Sequence, residues 1–191
     1  YNPRYHGRAS YKAKVAFISG SGELVHANLY GGKTASNGCF LEFLQETLGK
    51  LNPRQTVVKG IRIDRGFFDE KNFMYLEDND LEYVCKAKLN GSMRKIISYL
   101  DEQQDWHPLD DTYATAEIRI PLPTWERARR MVFIRERLKP KEEHGQLSFD
   151  LETYEYQAIV TNMEDLSPEE VWHWYNKRCD IENRSDELKV G

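Results

Sequence analysis

"TVVKGIRIDRGFF", from Thr56 to Phe68, decides how this chain folds. Val57, Val58, Ile61 and Ile63 make the stretch apolar and β-branched, so it reads as a strand ending at Asp64. Arg65-Gly66 then turns the chain, and residues 69–78 read as a short helix. Upstream, Phe40, Phe43, Leu44, Leu48 and Leu51 recur at helical spacing until Pro53 stops the run. A strand between two helices implies an α/β sheet, and in open sheets of that class sites form at strand ends. Asp64 stands at such an end.

Working outward, "YKAKVAFIS" and "ELVHANLY" flank "GSG" and predict a β-hairpin. Gly20 and Gly22 superficially resemble a phosphate loop, but inside a hairpin turn they read as turn residues. "GGKTASNG" is a second break before the first helix, and "LEYVCKAKL" is a further strand. The order to that point is strand, strand, helix, strand, helix, strand. Asn90-Gly91 then reads as a turn and "SMRKIISYL" as a short helix, and short alternating runs follow, such as "ATAEIRIPL" and "ARRMVFIRERL". Residues 90–150 are therefore expected to form a mostly β insertion between a first core segment, 1–89, and a last one, 151–191. "YEYQAIVTNM" is another strand. Ser167 predicts a helix N-cap, with Pro168 at the first helical position and Glu170 completing a capping box.

The 191 residues are enough for one core with a small appendage. Hydrophobic residues make up 40% and charged residues 30%, and no apolar run is long enough to span a bilayer. The expectation is a soluble cytoplasmic protein. Cys39, Cys85 and Cys179 are odd in number and far apart, which suits reduced thiols. The five histidines show no zinc-ligand spacing. Charge is uneven: Arg119 to Lys141 holds eight basic residues against two acids, whereas Asp64 to Glu82 holds seven acids against two bases. A basic strip beside an acidic pocket suits an enzyme that gathers phosphates and metal ions, and scattered solvated faces would read the same way.

The last helix carries "YNKRCDIENRSDELK", Tyr175 to Lys189. At about 100° per residue, Tyr175, Arg178, Glu182 and Lys189 fall within an arc of roughly 60°. Trp174, Ile181 and Leu188 form an adjacent apolar stripe that can dock the helix on the sheet. A carboxylate held at that border can bind a metal ion, and flanking cations can hold phosphates. The plainer alternative is a surface helix with i,i+4 charge pairs such as Arg178 with Glu182.

The spacing Y-x2-R-x3-E-x6-K resembles the signature of bacterial insertion-sequence DDE transposases of the IS-four type. "IRIDRGFF" resembles the R-x-D-x-G-F strand-end motif that carries that family's second catalytic aspartate, with Arg65 where serine is common. "YNPRYHGRASY", "GGKTASNG", "YVCKAKL" and the segment from "VTNM" to "SPEEVWHWYNKR" are similar to the IS-thirteen-eighty branch. The resemblance covers most of the chain.

It implies a ribonuclease H-like mixed sheet flanked by helices, with the β-rich insertion ahead of the final catalytic helix. The 118 positions from Asp64 to Glu182 leave room for that insertion. Asp64 and Glu182 would be catalytic metal ligands for two Mg²⁺ ions, with Mn²⁺ able to substitute. Tyr175, Arg178 and Lys189 would contact DNA phosphates. Arg127, Arg129 and Arg130 of the basic strip would bind DNA beside them. Trp125 is the candidate to stack on an extruded base, ahead of Trp106, and a hydrophobic anchor is the alternative for both. The implied activity is metal-dependent strand cleavage and strand transfer at insertion-sequence ends, by a homodimer in a synaptic complex on transposon-end and target DNA, acting at the nucleoid without a membrane. An inactive DNA-binding remnant or a ribonuclease H-like nuclease or resolvase is the alternative. The family's first aspartate lies on a strand ahead of the "YNP" segment. The chain is therefore expected to lack that strand and to be inactive alone.

Overall fold

The computed structural model describes residues 11–35, 37–138 and 154–177, and the chain is a mixed α/β protein. The described residues divide into two compact units. The first contains β1 (Tyr11–Phe17), β2 (Leu24–Gly31), α1 (Phe40–Lys50) and α2 (Glu70–Asp78). The expected hairpin is present: β1 and β2 pair antiparallel, and Gly20 and Gly22 take positive φ in the turn, where a side chain would be strained. The strand period gives the hairpin two unlike faces. On one, Lys14 is buried over the Tyr30 ring, 4.3 Å from its centroid, and donates to the Gly38 carbonyl. Burial pushes its pKa down. On the other, Tyr11, Val15 and Leu29 are exposed. α1 packs on β2 and α2. Its Phe43 stacks on His26 with ring centroids 4.8 Å apart. Asp69 caps α2 by accepting from the Lys71 N–H at 3.2 Å, and it also accepts from Asn37 Nδ2 at 2.7 Å.

The second unit holds Arg62–Arg65 and all of the described chain from Glu82 to Asn176. Its strands belong to a six-stranded sheet in the order β3-β4-β8-β7-β6-β5. These are β3 (Ile61–Ile63), β4 (Tyr83–Lys86), β5 (His107–Pro108), β6 (Tyr113–Ile120), β7 (Arg129–Arg137) and β8 (Tyr154–Thr161). From β4 through β8, β7 and β6 to β5 every neighbour is antiparallel. β4 and β8 are fastened at one end by side chains. Thr161 Oγ1 donates to the Tyr83 carbonyl at 2.6 Å, and Asn162 Oδ1 accepts from the Tyr83 N–H at 2.8 Å. Strands of the expected insertion, β5 to β7, thus share one sheet with the flanking core strands β3, β4 and β8. A mixed α/β chain with a six-stranded sheet and four helices among its described residues is compatible with a ribonuclease H-like fold.

Two helices belong to this unit. α3 (Gly91–Gln103) begins where a turn was expected: Asn90 accepts from the Met93 N–H at 3.1 Å and so acts as an N-cap. α4 (Pro168–Asn176) packs on β4, β6, β7 and β8. Its capping box has the expected reciprocal bonds, with Ser167 N–H donating to Glu170 Oε2 at 2.8 Å and Glu170 N–H to Ser167 Oγ at 3.2 Å. The core beneath α4 is Val84, Val132, Ile134, Ile159, Met163, Val171 and Tyr175.

One expectation is shortened. The strand read from Thr56 to Asp64 is regular at Ile61–Ile63 alone. Val57 is exposed, and Gln55 and Thr56 donate to the Asn52 carbonyl in a turn, so the upstream valines follow the turn and not the sheet.

Candidate active site

Asp64 follows β3 directly and is exposed, with the 3₁₀ turn Arg65–Phe67 after it. The local sequence explains this placement. Ile63 is 2% exposed and anchors the strand, while the period of two turns Arg62 to the opposite side. Arg62 places its guanidinium over the Trp174 ring of α4, 4.6 Å from the centroid. The buried Cys85 thiol of β4 lies 3.6 Å from the Asp64 carbonyl oxygen, to which it is a weak donor. Asp64 thus ends a strand whose flank is held by α4, the helix that leads into the Tyr175 segment.

Tyr175 itself is 5% exposed and belongs to the core under α4, alongside Val171. Trp172 and Trp174 pack at the edge of that cluster. The buried stripe of α4 is therefore centred on Val171 and Tyr175, one step round from the stripe expected on Trp174. The sheet surface is wide enough to take an i,i+4 pair head-on. Arg178, Glu182, Lys189 and Cys179 lie outside the described residues.

The basic strip does not share one face. Arg119 and Arg130 are partners across β6 and β7, and Arg129 and Arg130 are successive strand residues that point to opposite sides. Arg130 is 8% exposed, lies 2.7 Å from Glu117 Oε2 through its NH2 group, and donates to the Met163 carbonyl at 2.5 Å. Arg129 is 2% exposed, with its guanidinium 5.0 Å from the Trp125 ring centroid and one N–H donating to the Arg127 carbonyl at 3.4 Å. Arg119 pairs with Glu164. Arg127 and Arg137 are exposed, and Lys139 and Lys141 lie outside the described residues.

The two candidate tryptophans are built differently. Trp125 is half-buried and covers Arg129. Trp106 is buried and donates from Nε1 to Asp101 Oδ1 at 2.8 Å, which makes it a structural anchor. Asp101 also accepts from the Tyr156 hydroxyl at 2.9 Å. Burial first, and this bond second, push the Tyr156 pKa up to about 12. Arg135 lies between the Trp106 and Tyr154 rings, 4.7 Å from each centroid. Asp101, Gln104, Arg135, Tyr154 and Tyr156 line an open cavity of about 580 Å³.

The full length of the chain, residues 1–191, matches the family described as Transposase DDE domain group 1. The chain belongs to that family of DDE transposases. No curated protein matches it. Membership makes this transposase domain one of a class of enzymes that act on DNA and normally use divalent metal ions. Asp64 offers the hard, exposed carboxylate oxygens that such ions take. Among the described residues, no group of three or more His, Cys, Asp or Glu side chains could hold a metal ion. No helix among them is long and apolar enough to cross a membrane.

Sequence reasoning had Arg62 in the R-x-D-x-G-F match, Trp174 in the apolar stripe and Cys85 as a thiol, but missed their placement around the Asp64 strand. Arg62 was legible in principle, because it stands two positions before Asp64 and shares its side of the strand. Cys85 reaches Asp64 through sheet pairing, which leaves no mark in the local sequence.

Proposed function

We propose that this is the catalytic domain of an insertion-sequence transposase of the IS-four or IS-thirteen-eighty type, with a ribonuclease H-like core. It would cut DNA at the element's ends and join the freed 3′-hydroxyl to target DNA. The carrying observation is Asp64, an exposed carboxylate at a strand end inside a chain that matches the DDE family over its whole length. The core would comprise 1–89 and 151–191, with 90–150 as the insertion.

Asp64 and Glu182 would supply carboxylate oxygens for a pair of Mg²⁺ ions. When bound, such ions activate the attacking oxygen and stabilise the leaving one during in-line displacement. The chain's own work is positioning. β3 presents Asp64, and Tyr175, in the core, anchors the helix from which the chain runs on to Arg178, Glu182 and Lys189. Arg178 and Lys189 neutralise DNA phosphates there, and Arg127, exposed beside Trp125, does so along the insertion. Arg129 and Arg130, buried at the start of β7, hold Trp125 and that end of the strand in place for that contact. The working assembly is a homodimer that synapses two transposon ends with target DNA at the bacterial nucleoid.

The test is cleavage of duplex DNA carrying the element's ends by the full-length protein. Asp64→Asn and Glu182→Gln should each lower Mg²⁺-dependent cleavage by at least about three orders of magnitude and leave duplex binding intact. Unchanged cleavage in Asp64→Asn would remove Asp64 from the site.

A further inference from the structure

We infer that Arg62 and Trp174 form a positioning pair that sets where Asp64 holds a divalent metal ion, an inference resting on the reading of Asp64 as a metal ligand. β3 has three residues and, among the described residues, pairs with β4. So short a strand is held by few ladder bonds, and side-chain contacts carry much of what fixes its last residues. Ile63 anchors one side of it in the core.

The other side is held by Arg62, whose guanidinium lies 4.6 Å from the centroid of the Trp174 ring. Trp174 is a firm reference point. It packs against the cluster that contains Val171 and Tyr175, and its helix contacts four strands of the same sheet. A guanidinium stacked on an indole face has a preferred geometry, so the contact ties the end of β3 to α4. Asp64 comes two residues later with no intervening turn, and inherits that placement.

Metal chemistry makes the placement matter. Ligands must sit within about 0.5 Å of the productive geometry, and loss of a residue that orients a ligand commonly weakens metal affinity about 10- to 100-fold. Arg62 touches no substrate in this scheme. It acts through Asp64.

The experiment titrates the full-length protein with MnCl2, reading the rise in Tm and the Mn²⁺ concentration at half-effect. Arg62→Met, which keeps bulk but removes the cation, should raise that concentration about tenfold, whereas Arg62→Lys and Trp174→Phe should stay within about threefold of wild type. Trp174→Leu, which removes the ring, should match Arg62→Met and serves if that variant does not fold. A merely structural role would lower the metal-free Tm in these variants and leave the Mn²⁺ half-point unmoved, which overturns the inference. Asp64→Asn is the separate control. If its half-point equals wild type, the reading of Asp64 as a ligand fails. If Asp64→Asn weakens binding and Arg62→Met does not, the pairing alone fails.

Discussion

At the scale of single residues, the arginines of β7 and its approach divide by partner. Arg130 is enclosed, with Glu117 and the Met163 carbonyl as acceptors. Arg130→Ala would strand a buried carbonyl, so it should destabilise the domain by about 1–3 kcal/mol in urea unfolding. Arg127→Ala should change stability by less than about 0.5 kcal/mol, because Arg127 is exposed. A shift in DNA affinity for Arg130→Ala without loss of stability would contradict this division. Tyr156 gives a second residue-scale prediction. Its pKa is raised to about 12 in the fold, so its contribution is full below the ordinary tyrosine value near 10. That contribution is lost as pH rises through the folded value. The stability gap between wild type and Tyr156→Phe should therefore narrow between about pH 10 and pH 12, and a gap that widens there would overturn the assignment.

At the scale of elements, the helix starts were the most legible features. Ser167-Pro168 and Glu170 announced α4, because a capping box is local chemistry in which all the partners lie within four residues. Glu170 has its pKa lowered by the bonds it receives at Ser167. Its contribution is thus present above the ordinary glutamate value and lost as pH falls through the lowered one. The stability difference between wild type and Glu170→Ala should be full at neutral pH and shrink below about pH 4. Asn90 shows the limit of the same logic. Asn-Gly suits both a turn and a helix start, and the apolar run Met93, Ile96, Ile97, Leu100, all buried, tipped it to the helix. Asn90→Ala should cost about 1 kcal/mol and Asn90→Gly a few tenths, measured by denaturant unfolding. Strand lengths were less legible. Thr56–Ile63 is apolar enough for a long strand, but β3 keeps three residues because the chain before it is engaged in the Asn52 turn.

At the scale of the whole molecule, charge and DNA recognition come together. In the strip, Arg119 pairs with Glu164, Arg130 with Glu117, and Arg135 with Asp101 at 3.6 Å. Arg127 and Arg137 are exposed arginines of the same strip. The double variant Arg127→Ala/Arg137→Ala should therefore reduce the slope of log binding constant against log salt by about two, in fluorescence anisotropy on duplex DNA. An unchanged slope would make both arginines solvated surface. The sequence by itself determined the element order, the strand-end position of Asp64, the α4 cap and the family, because each rests on neighbours along the chain or on the spacing of residues in the sequence. The tertiary structure alone decided which arginines are enclosed, that Tyr175 belongs to the core, and that Arg62, Trp174 and Cys85 surround the Asp64 strand. Those facts depend on which strand lies beside which and on which face a helix covers. Such pairings join residues up to 112 positions apart, Arg62 with Trp174, and no local pattern encodes them.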